Sequence, residues 1–518
     1  MPEAYLYIIM KKAIPFLALV CLPIAIAWGQ TITFAKLFDF YPLNGENGLE
    51  IHVVEDGYIL LTSNDCVSFV SPNEECRTLT KLDEYGNVQW MLELDMLTGW
   101  FGSIVESQDA YYLTGVDQNT PQGVSLVKIN KQGQLIWIKK AVDLPYFWGG
   151  GNILVNQEGN IVIFGAQLRP WVGERAWLPF LASVTPEGEE IDLFFFNDDY
   201  LATTPYRFLT TSEGNYLTSY IYCPTGCNGY NSTGGMMLMS PDGFILWRKE
   251  LSAIFAPYSC NVEQIGANDY VYQWYHTQYT SPQWEIHPPG LYYMDAQGIV
   301  HDSLIFHNQT GKDVLYTHAI WDKGLVGSGF QTLNKTNPDF TKWIQSGWIF
   351  RVDEHKQLLW ERSYMDTTNS ISTNGLFHIK KTADGGYIAC GDISNRMTGV
   401  PETHPWLLKL DSLGCLTPGC GDVNIITGVE SAVFAQEAEI RCAPNPASVE
   451  TYVTLPEDLP ERDVVVVLLS PEGKPLYRQA YAHPGIRIPL HGVSSGMYYV
   501  AAYRQGRLLG IQKLIITP

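Results

Sequence analysis

Short runs in which apolar and polar residues alternate fill most of this chain, and polar turns containing glycine interrupt them at regular intervals. The clearest example is residues 81–90, KLDEYGNVQW: an apolar strand runs into a polar turn, and the chain leaves through alternating residues that end in a large aromatic. That pattern encodes a two-strand ribbon. It returns at residues 128–137 (KINKQGQLIW), 183–192 (SVTPEGEEID), 238–247 (LMSPDGFILW), 293–302 (YMDAQGIVHD), 351–360 (RVDEHKQLLW) and 409–418 (KLDSLGCLTP). Gly86, Gly133, Gly188, Gly243, Gly298 and Gly414 occupy one column, with Lys356 standing in the sixth copy, at spacings of 47 to 58 residues. A second hairpin lies upstream of each copy, beginning at Val53, Glu106, Val155, Thr210, Ile265, Trp321 and Lys381. Two hairpins make four strands, and a period of this size marks an array or a propeller. The pattern predicts an all-β chain in which residues 31–421 form a seven-bladed β-propeller with four strands per blade.

The ends of the array indicate how it closes. Thr417 and Pro418 stand where the last copy should have its outgoing strand, and a proline cannot donate to a sheet ladder. Residues 32–38, ITFAKLF, align with the missing piece, Phe34 preceding Trp90 by 56 positions. The N-terminal strand is therefore expected to complete the last blade and remove an open edge. Beyond Gly421 the repeats stop. Residues 422–439 read as a linker, and residues 440–518, with short β-branched strands between turns, as a small C-terminal β-sandwich.

Residues 1–30 have the form of a secretory signal, with Lys11 and Lys12 preceding the apolar run 13–27. Export would place the cysteines in an oxidising compartment, where three local pairs fit loop-bracing disulfides: Cys66 with Cys76, Cys223 with Cys227, and Cys415 with Cys420. The CPTGC stretch at 223–227 has no second Cys or His pair at ligand spacing, so it reads as a disulfide or two buried thiols and not a metal site. The net charge of -21 argues against nucleic acid or an anionic membrane surface as partner.

In a propeller every short hairpin turn lies on one face of the disc and the long connections share the other. The long connections carry Trp171, Trp177, Tyr279, Trp284, Phe340 and Trp343, whose rings suit sugars or peptide side chains, although packing between blades is the plainer role for any one of them. Trp90, Trp137, Trp247 and Trp360 form a column four residues after the turn glycine, interrupted by Asp192 and Asp302. The column resembles the Trp-docking positions of quinoprotein-like propellers and reads as blade-to-blade packing. No HExxH, Walker, GxGxxG or EF-hand motif occurs. Asp198, Asp199, His276, His287, His318 and His404 cannot be brought to one substrate from sequence. The chain is accordingly expected to be a non-enzymatic binding or adhesion module for an extracellular glycan or protein, without cofactor or metal. The alternative is a polysaccharide- or peptide-acting enzyme with its site on the long-loop face, marked by ionisable side chains converging in a closed pocket.

The C-terminal module resembles the type A sorting domain of the type IX secretion system of Bacteroidetes. The matching residues are Pro444, Asn445 and Pro446 at its start, Gly473 and Lys474 after a strand, Gly496, Met497, Tyr498 and Tyr499 in the penultimate strand, and Lys513 in the terminal KLIITP. Ala443 departs from the aromatic usual before PNP. The resemblance implies carriage across the outer membrane by the type IX machinery and a secreted or cell-surface location. The repeats, with GGYIACG and LLKLDSLGC elements, also look like arrays that accompany this domain, which implies no activity.

Overall fold

The computed structural model describes residues 32–38, 46–65, 75–98, 103–117, 123–144, 151–169, 176–196, 203–222, 233–251, 256–280, 283–286, 290–306, 319–321, 324–332, 345–366, 372–395, 402–426, 430–431, 440–456, 464–470, 475–504 and 507–517. Among them there is no helix. Strand β1 (Phe34–Leu37) precedes a set that pairs in sequence order: β2 (Glu46–Val54), β3 (Gly57–Asp65), β4 (Glu75–Leu82) and β5 (Val88–Thr98). The next sets are β6 (Ile104–Glu106), β7 (Ala110–Asp117), β8 (Val124–Asn130) and β9 (Leu135–Val142), then β10 (Asn152–Val155), β11 (Ile161–Arg169), β12 (Ala176–Val184) and β13 (Glu190–Phe195). They are followed by β14 (Thr203–Thr210), β15 (Tyr216–Tyr222), β16 (Thr233–Met239) and β17 (Ile245–Leu251). In the following set β18 (Ala256–Gly266), β19 (Asp269–Thr280), β21 (Gly290–Asp295) and β22 (Val300–Ile305) pair in order, and β20 (Gln283–Ile286) pairs with the far end of β19. Then come β23 (Ala319–Trp321), β24 (Gly324–Thr332), β25 (Gln345–Asp353) and β26 (Leu358–Asp366), and last β27 (Ser372–Lys381), β28 (Tyr387–Asn395) and β29 (Glu402–Leu410). The last set has three strands from its own stretch, and its fourth is β1, antiparallel to β29 with Phe34 opposite Lys409. These four-stranded antiparallel sheets fit the blades of a propeller.

The turns explain why the repeats form hairpins. Asp83 Oδ1 accepts from the backbone N–H groups of Tyr85 and Asn87, at 2.9 and 2.8 Å, and Gly86 N donates back to Asp83 O. Gly86 sits at φ +76°, so the loop is a tight turn ending in a left-handed residue, which sets the register shift between Lys81 and Leu82. The same backbone closure recurs at Asn130, Thr185, Ser240, Asp295, Asp353 and Asp411.

The left-handed residue also joins one sheet to the next. A Cβ on Gly86 would fall 2.7 Å from the Phe34 ring, and one on Gly414 2.7 Å from Trp360. Gly133 sits in the same way on Trp90, Gly188 on Trp137 and Gly243 on Phe194, while Gly298 lies against the Lys249 stem with Trp247 just beyond it. Each turn thus rests on a large side chain of the preceding sheet, and the series returns to its start through β1. Where the column holds Lys356 at φ +65°, the preceding sheet holds Asp302 in place of the tryptophan, and Lys356 Nζ lies 2.8 Å from Asp302 Oδ2. The two departures from the repeat are partners: an ion pair replaces a glycine packed on an indole. Asp192 interrupts the column without such a swap, and Phe194, two positions on, supplies the ring instead.

The first strands of successive sheets contact one another: β6 with β10, β10 with β14, β14 with β18, β18 with β23, β23 with β27, and β27 with β2. The Ile104 N–H to Glu50 Oε2 hydrogen bond links β2 to β6. The first strands therefore line the axis of a closed ring, and apolar clusters fill the gaps between neighbouring sheets, as where Leu61 and Leu79 meet Leu113 and Val127.

Part of the stretch expected to be a linker is strand. β30 (Val423–Ile426) pairs parallel with the outer strand β26, and β31 (Glu430–Ser431) pairs parallel with β1. These residues cover sheet edges that would otherwise present unpaired backbone groups. The C-terminal residues form β32 (Arg441–Ala443), β33 (Glu450–Thr454), β34 (Val464–Leu469), β35 (Pro475–Ala480), β36 (Ile486–Pro489), β37 (Gly496–Arg504) and β38 (Arg507–Ile516). Two sheets result, β32-β33-β36 and β35-β34-β37-β38. Val453 and Ile488 of the first share a core with Val466, Val500 and Leu514 of the second. The other face of the four-stranded sheet, with Val467, Leu469 and Ala501, packs on Met91 of β5.

Candidate functional site

Ionisable side chains have no place in a strand buried on both faces unless something pairs with them. Six described ionisable side chains that are buried or half-buried nevertheless sit on the first strands: Glu50 and His52 on β2, Arg207 on β14, Glu263 on β18, His378 and Lys380 on β27. Strand register places them in two tiers. Glu50 pairs with Leu61, Arg207 with Ser219, and His378 with Cys390, each partner three residues beyond the tyrosine near the start of its second strand, Tyr58, Tyr216 or Tyr387. Asn261, opposite Gln273, has the same position relative to Tyr270. The second tier lies two residues nearer the hairpin tips, with His52, Glu263 and Lys380 opposite Ile59, Val271 and Ile388.

A register shift stands just before three of the first-tier residues, between Gly48 and Glu50, Pro205 and Arg207, and Leu376 and His378. The extra residues are Leu49, Tyr206 and Phe377. Such bulges bend a strand and re-aim the side chains that follow.

Hydrogen bonds link the tiers. Glu50 Oε1 lies 2.8 Å from His52 Nε2 and 3.6 Å from His378 Nε2, while Glu50 Oε2 accepts from Ile104 N–H at 3.3 Å. His378 Nδ1 accepts from Ile51 N–H at 3.3 Å, which leaves Nε2 as the protonated nitrogen, directed at Glu50. Arg207 Nη2 lies 3.3 Å from Glu263 Oε2. Glu50 keeps 15% of its side-chain surface, and Glu263 and Arg207 keep 20% each, deep inside the ring, so these groups face an opening along the axis. Lys380 is half-buried beside them and makes no hydrogen bond or ion pair among the described residues.

The two carboxylates are pushed in opposite directions. Burial would raise the Glu50 pKa, but His52, Lys380 and the Ile104 N–H together hold it below the ordinary value of 4.5. Burial raises Glu263 above that value, against the pull of Arg207 and Lys380. Burial, with the positive charge of Arg207, lowers Lys380 to about 8 although Glu50 and Glu263 act to raise it. His378 is held well below 6.5, first by burial and then by Lys380, His52 and Arg207, and is neutral at pH 7. Carboxylates whose environments separate their pKa values are the arrangement that assigns one as proton donor and the other as acceptor. No three His, Cys, Asp or Glu side chains among the described residues converge as metal ligands.

No protein-family model matches the chain, and no curated protein does. Similar solved structures include an α-L-arabinofuranosidase from Fusarium graminearum, at 10% identity and TM-score 0.38 over 74% of this chain and 98% of that one. An α-L-arabinanase from Penicillium chrysogenum, in complex with arabinobiose, gives 9% identity and TM-score 0.36 over 73% of this chain and 97% of that one. PorZ, a surface component of the type IX secretion system of Porphyromonas gingivalis, gives 11% identity and TM-score 0.33, covering 90% of this chain and 59% of that one.

The expectation that the chain is not an enzyme is corrected by these findings. The similar structures include an α-L-arabinofuranosidase and an α-L-arabinanase, and ionisable groups lie together on the first strands.

The residues singled out from sequence lie elsewhere. Trp171, Phe340 and Trp343 fall outside the described residues, as do the side chains of Trp177, Tyr279 and Trp284, although the backbones of Tyr279 and Trp284 face each other across β19 and β20. Asp198, Asp199, His287 and His318, and the side chain of His276, also fall outside them, and His404 is on β29, not on a first strand. Cys415 and Cys420 form a disulfide with Cα atoms 5.6 Å apart. Cys76 is disulfide-bonded, while Cys66, Cys223 and Cys227 lie outside the described residues. The sequence reading missed all six axial residues. Their signal was present, since Glu50, Arg207 and His378 each stand seven residues before a turn glycine, Gly57, Gly214 and Gly385.

Proposed function

We propose that this protein hydrolyses a glycan, with its active site among the axial side chains of a seven-bladed propeller that β1 closes. The observation that carries the reading is the pair Glu50 and Glu263, one carboxyl held low and the other raised, both open to the axis. Glu263 donates its proton to the glycosidic oxygen as the bond to the anomeric carbon breaks. Glu50 takes a proton from the water that adds to that carbon, and solvent returns this proton to Glu263. His52 and the Ile104 N–H hold Glu50 in its ionised form, and His378 faces it as a neutral group that adds no competing charge. Release of reducing ends from a panel of plant and microbial polysaccharides tests this. Glu263→Gln and Glu50→Gln should each lower kcat by roughly 10²- to 10⁴-fold. Full activity in both variants would refute the assignment.

The export reading rests on separate support. The Asn445 side chain donates to Lys513 O at 2.7 Å and accepts from Ile515 N at 2.9 Å, and Tyr498 donates to Ser494 O at 2.8 Å. Several of the residues that resemble the type IX sorting domain are thus built into a single unit, a C-terminal β-sandwich in this reading. The Cys415–Cys420 disulfide suits an oxidising, extracytoplasmic location. A chain truncated at residue 435 should accumulate in the periplasm of the native host, and its normal appearance outside the cell would reject the sorting role.

A further inference from the structure

Among the described residues, every charged group in the axial site has a close partner except one. Glu50 is held by His52 and the Ile104 N–H, and Glu263 by Arg207. Lys380 stands in the same tier as His52 and Glu263, close enough to exchange charge interactions with Glu50, Glu263 and Arg207, yet no carboxylate among the described residues meets its ammonium directly. β27 and β2 contact each other in the ring, and Lys380 interacts through charge with both proposed catalytic carboxylates. An ammonium removed from bulk water is costly unless an anion meets it.

We propose that the glycan taken by this site is anionic, and that a carboxylate or sulfate on one of its sugars pairs with the Lys380 ammonium. The proposal rests on the glycan reading above and adds the class of substrate. The ligand's anion would supply the direct contact that Lys380 lacks. It would also fix the sugar beside Glu263, so binding and positioning would come from the same group.

Calorimetric titration of the full chain with three probes tests this: trigalacturonate, its carboxyl-reduced neutral counterpart, and a sulfated galactose trisaccharide. At least one anionic probe should bind about tenfold or more tightly than the neutral one, and whichever does so identifies carboxylate or sulfate as the group. Lys380→Met should remove that preference, and Lys380→Arg should retain most of it. Equal binding of charged and neutral probes, binding of none of the three, or a preference that survives in Lys380→Met would each overturn the proposal. Thermal melting of both variants separates a lost contact from a lost fold. Hydrolysis is read separately: an anionic probe that binds through Lys380 and is never cleaved refutes the hydrolase reading and leaves the anion site standing.

Discussion

The Lys356–Asp302 pair shows how one position can leave a repeat without breaking it. A left-handed backbone favours glycine, and lysine at φ +65° is strained there. Part of that strain is offset by the ion pair, but both side chains are partly exposed, at 29% and 49%, where such pairs contribute little. Lys356→Gly should therefore stay within about 1 kcal/mol of the parent in chemical denaturation. Gly133→Ala should behave differently, because its Cβ would enter the Trp90 ring at φ +77°. A loss of about 2–4 kcal/mol is expected. Gly159→Ala, at φ +85° with nothing nearby, should lose only about 1 kcal/mol. Equal losses at the two sites would mean that the indole contact does not lock one sheet to the next.

His378 sets a pH limit at the same scale. Its folded-state pKa lies below 6.5, so below about that pH the unfolded chain binds a proton that the folded chain refuses. Stability should fall as pH drops through 6.5, at no more than about 1.4 kcal/mol per pH unit from this group. His378→Asn can still accept from Ile51 N–H and should flatten that part of the profile, measured by urea melts between pH 5 and 7.5. The activity profile has the opposite logic at its two limbs. Under the proposed mechanism the rate should rise as Glu50 ionises below pH 4.5 and fall as Glu263 loses its proton above 4.5, a bell-shaped profile measurable as kcat against pH.

Among elements, the first strands carry the axial ionisable residues and the outer strands carry the closure. Bulges before Glu50, Arg207 and His378 occur on three different sheets at equivalent register, so the axial site repeats a device of the unit and is not an irregularity of one loop. β1 acts at the opposite margin of its sheet. Without it, β29 has an open edge and Gly86 loses the Phe34 ring beneath it. Deleting residues 32–38 should lower the melting temperature by roughly 5–10 °C and promote aggregation, and an unchanged melting curve would show that closure does not depend on that strand.

At the scale of the whole molecule, the four-stranded C-terminal sheet is apolar on both faces. One faces its own core; the other rests on Met91, which is 1% exposed. Met91→Asp would bury an unpaired carboxylate there, and a loss of about 2–5 kcal/mol in that contact is expected. Calorimetry should then resolve two transitions in place of one, and limited proteolysis should separate the C-terminal residues. A single transition in the variant would mean that the two parts do not depend on this contact.

Much of the architecture can be read from the chain because it is local. A hairpin is specified by alternation over a few residues and by a left-handed turn, and repetition of the unit makes that specification redundant, so a drifted copy such as residues 183–192 is still recognised from its neighbours. The pairing of β1 with β29 is also legible, since the last copy lacks a strand that the first residues can supply. The coupling of Lys356 to Asp302 was not, although both departures were visible, because they fall in different copies and only adjacency of sheets joins them. The axial site was hidden for the same reason. Glu50, Arg207, Glu263, His378 and Lys380 are spread over residues 50–380, and in its own strand each looks like an ordinary polar position. The closing of the ring brings them to one axis, where burial raises both carboxyl groups and the neighbours decide the outcome: His52, Lys380 and the Ile104 N–H bring Glu50 below its ordinary value, while Glu263 stays above it despite Arg207, which no sequence pattern encodes because the cause is what surrounds them.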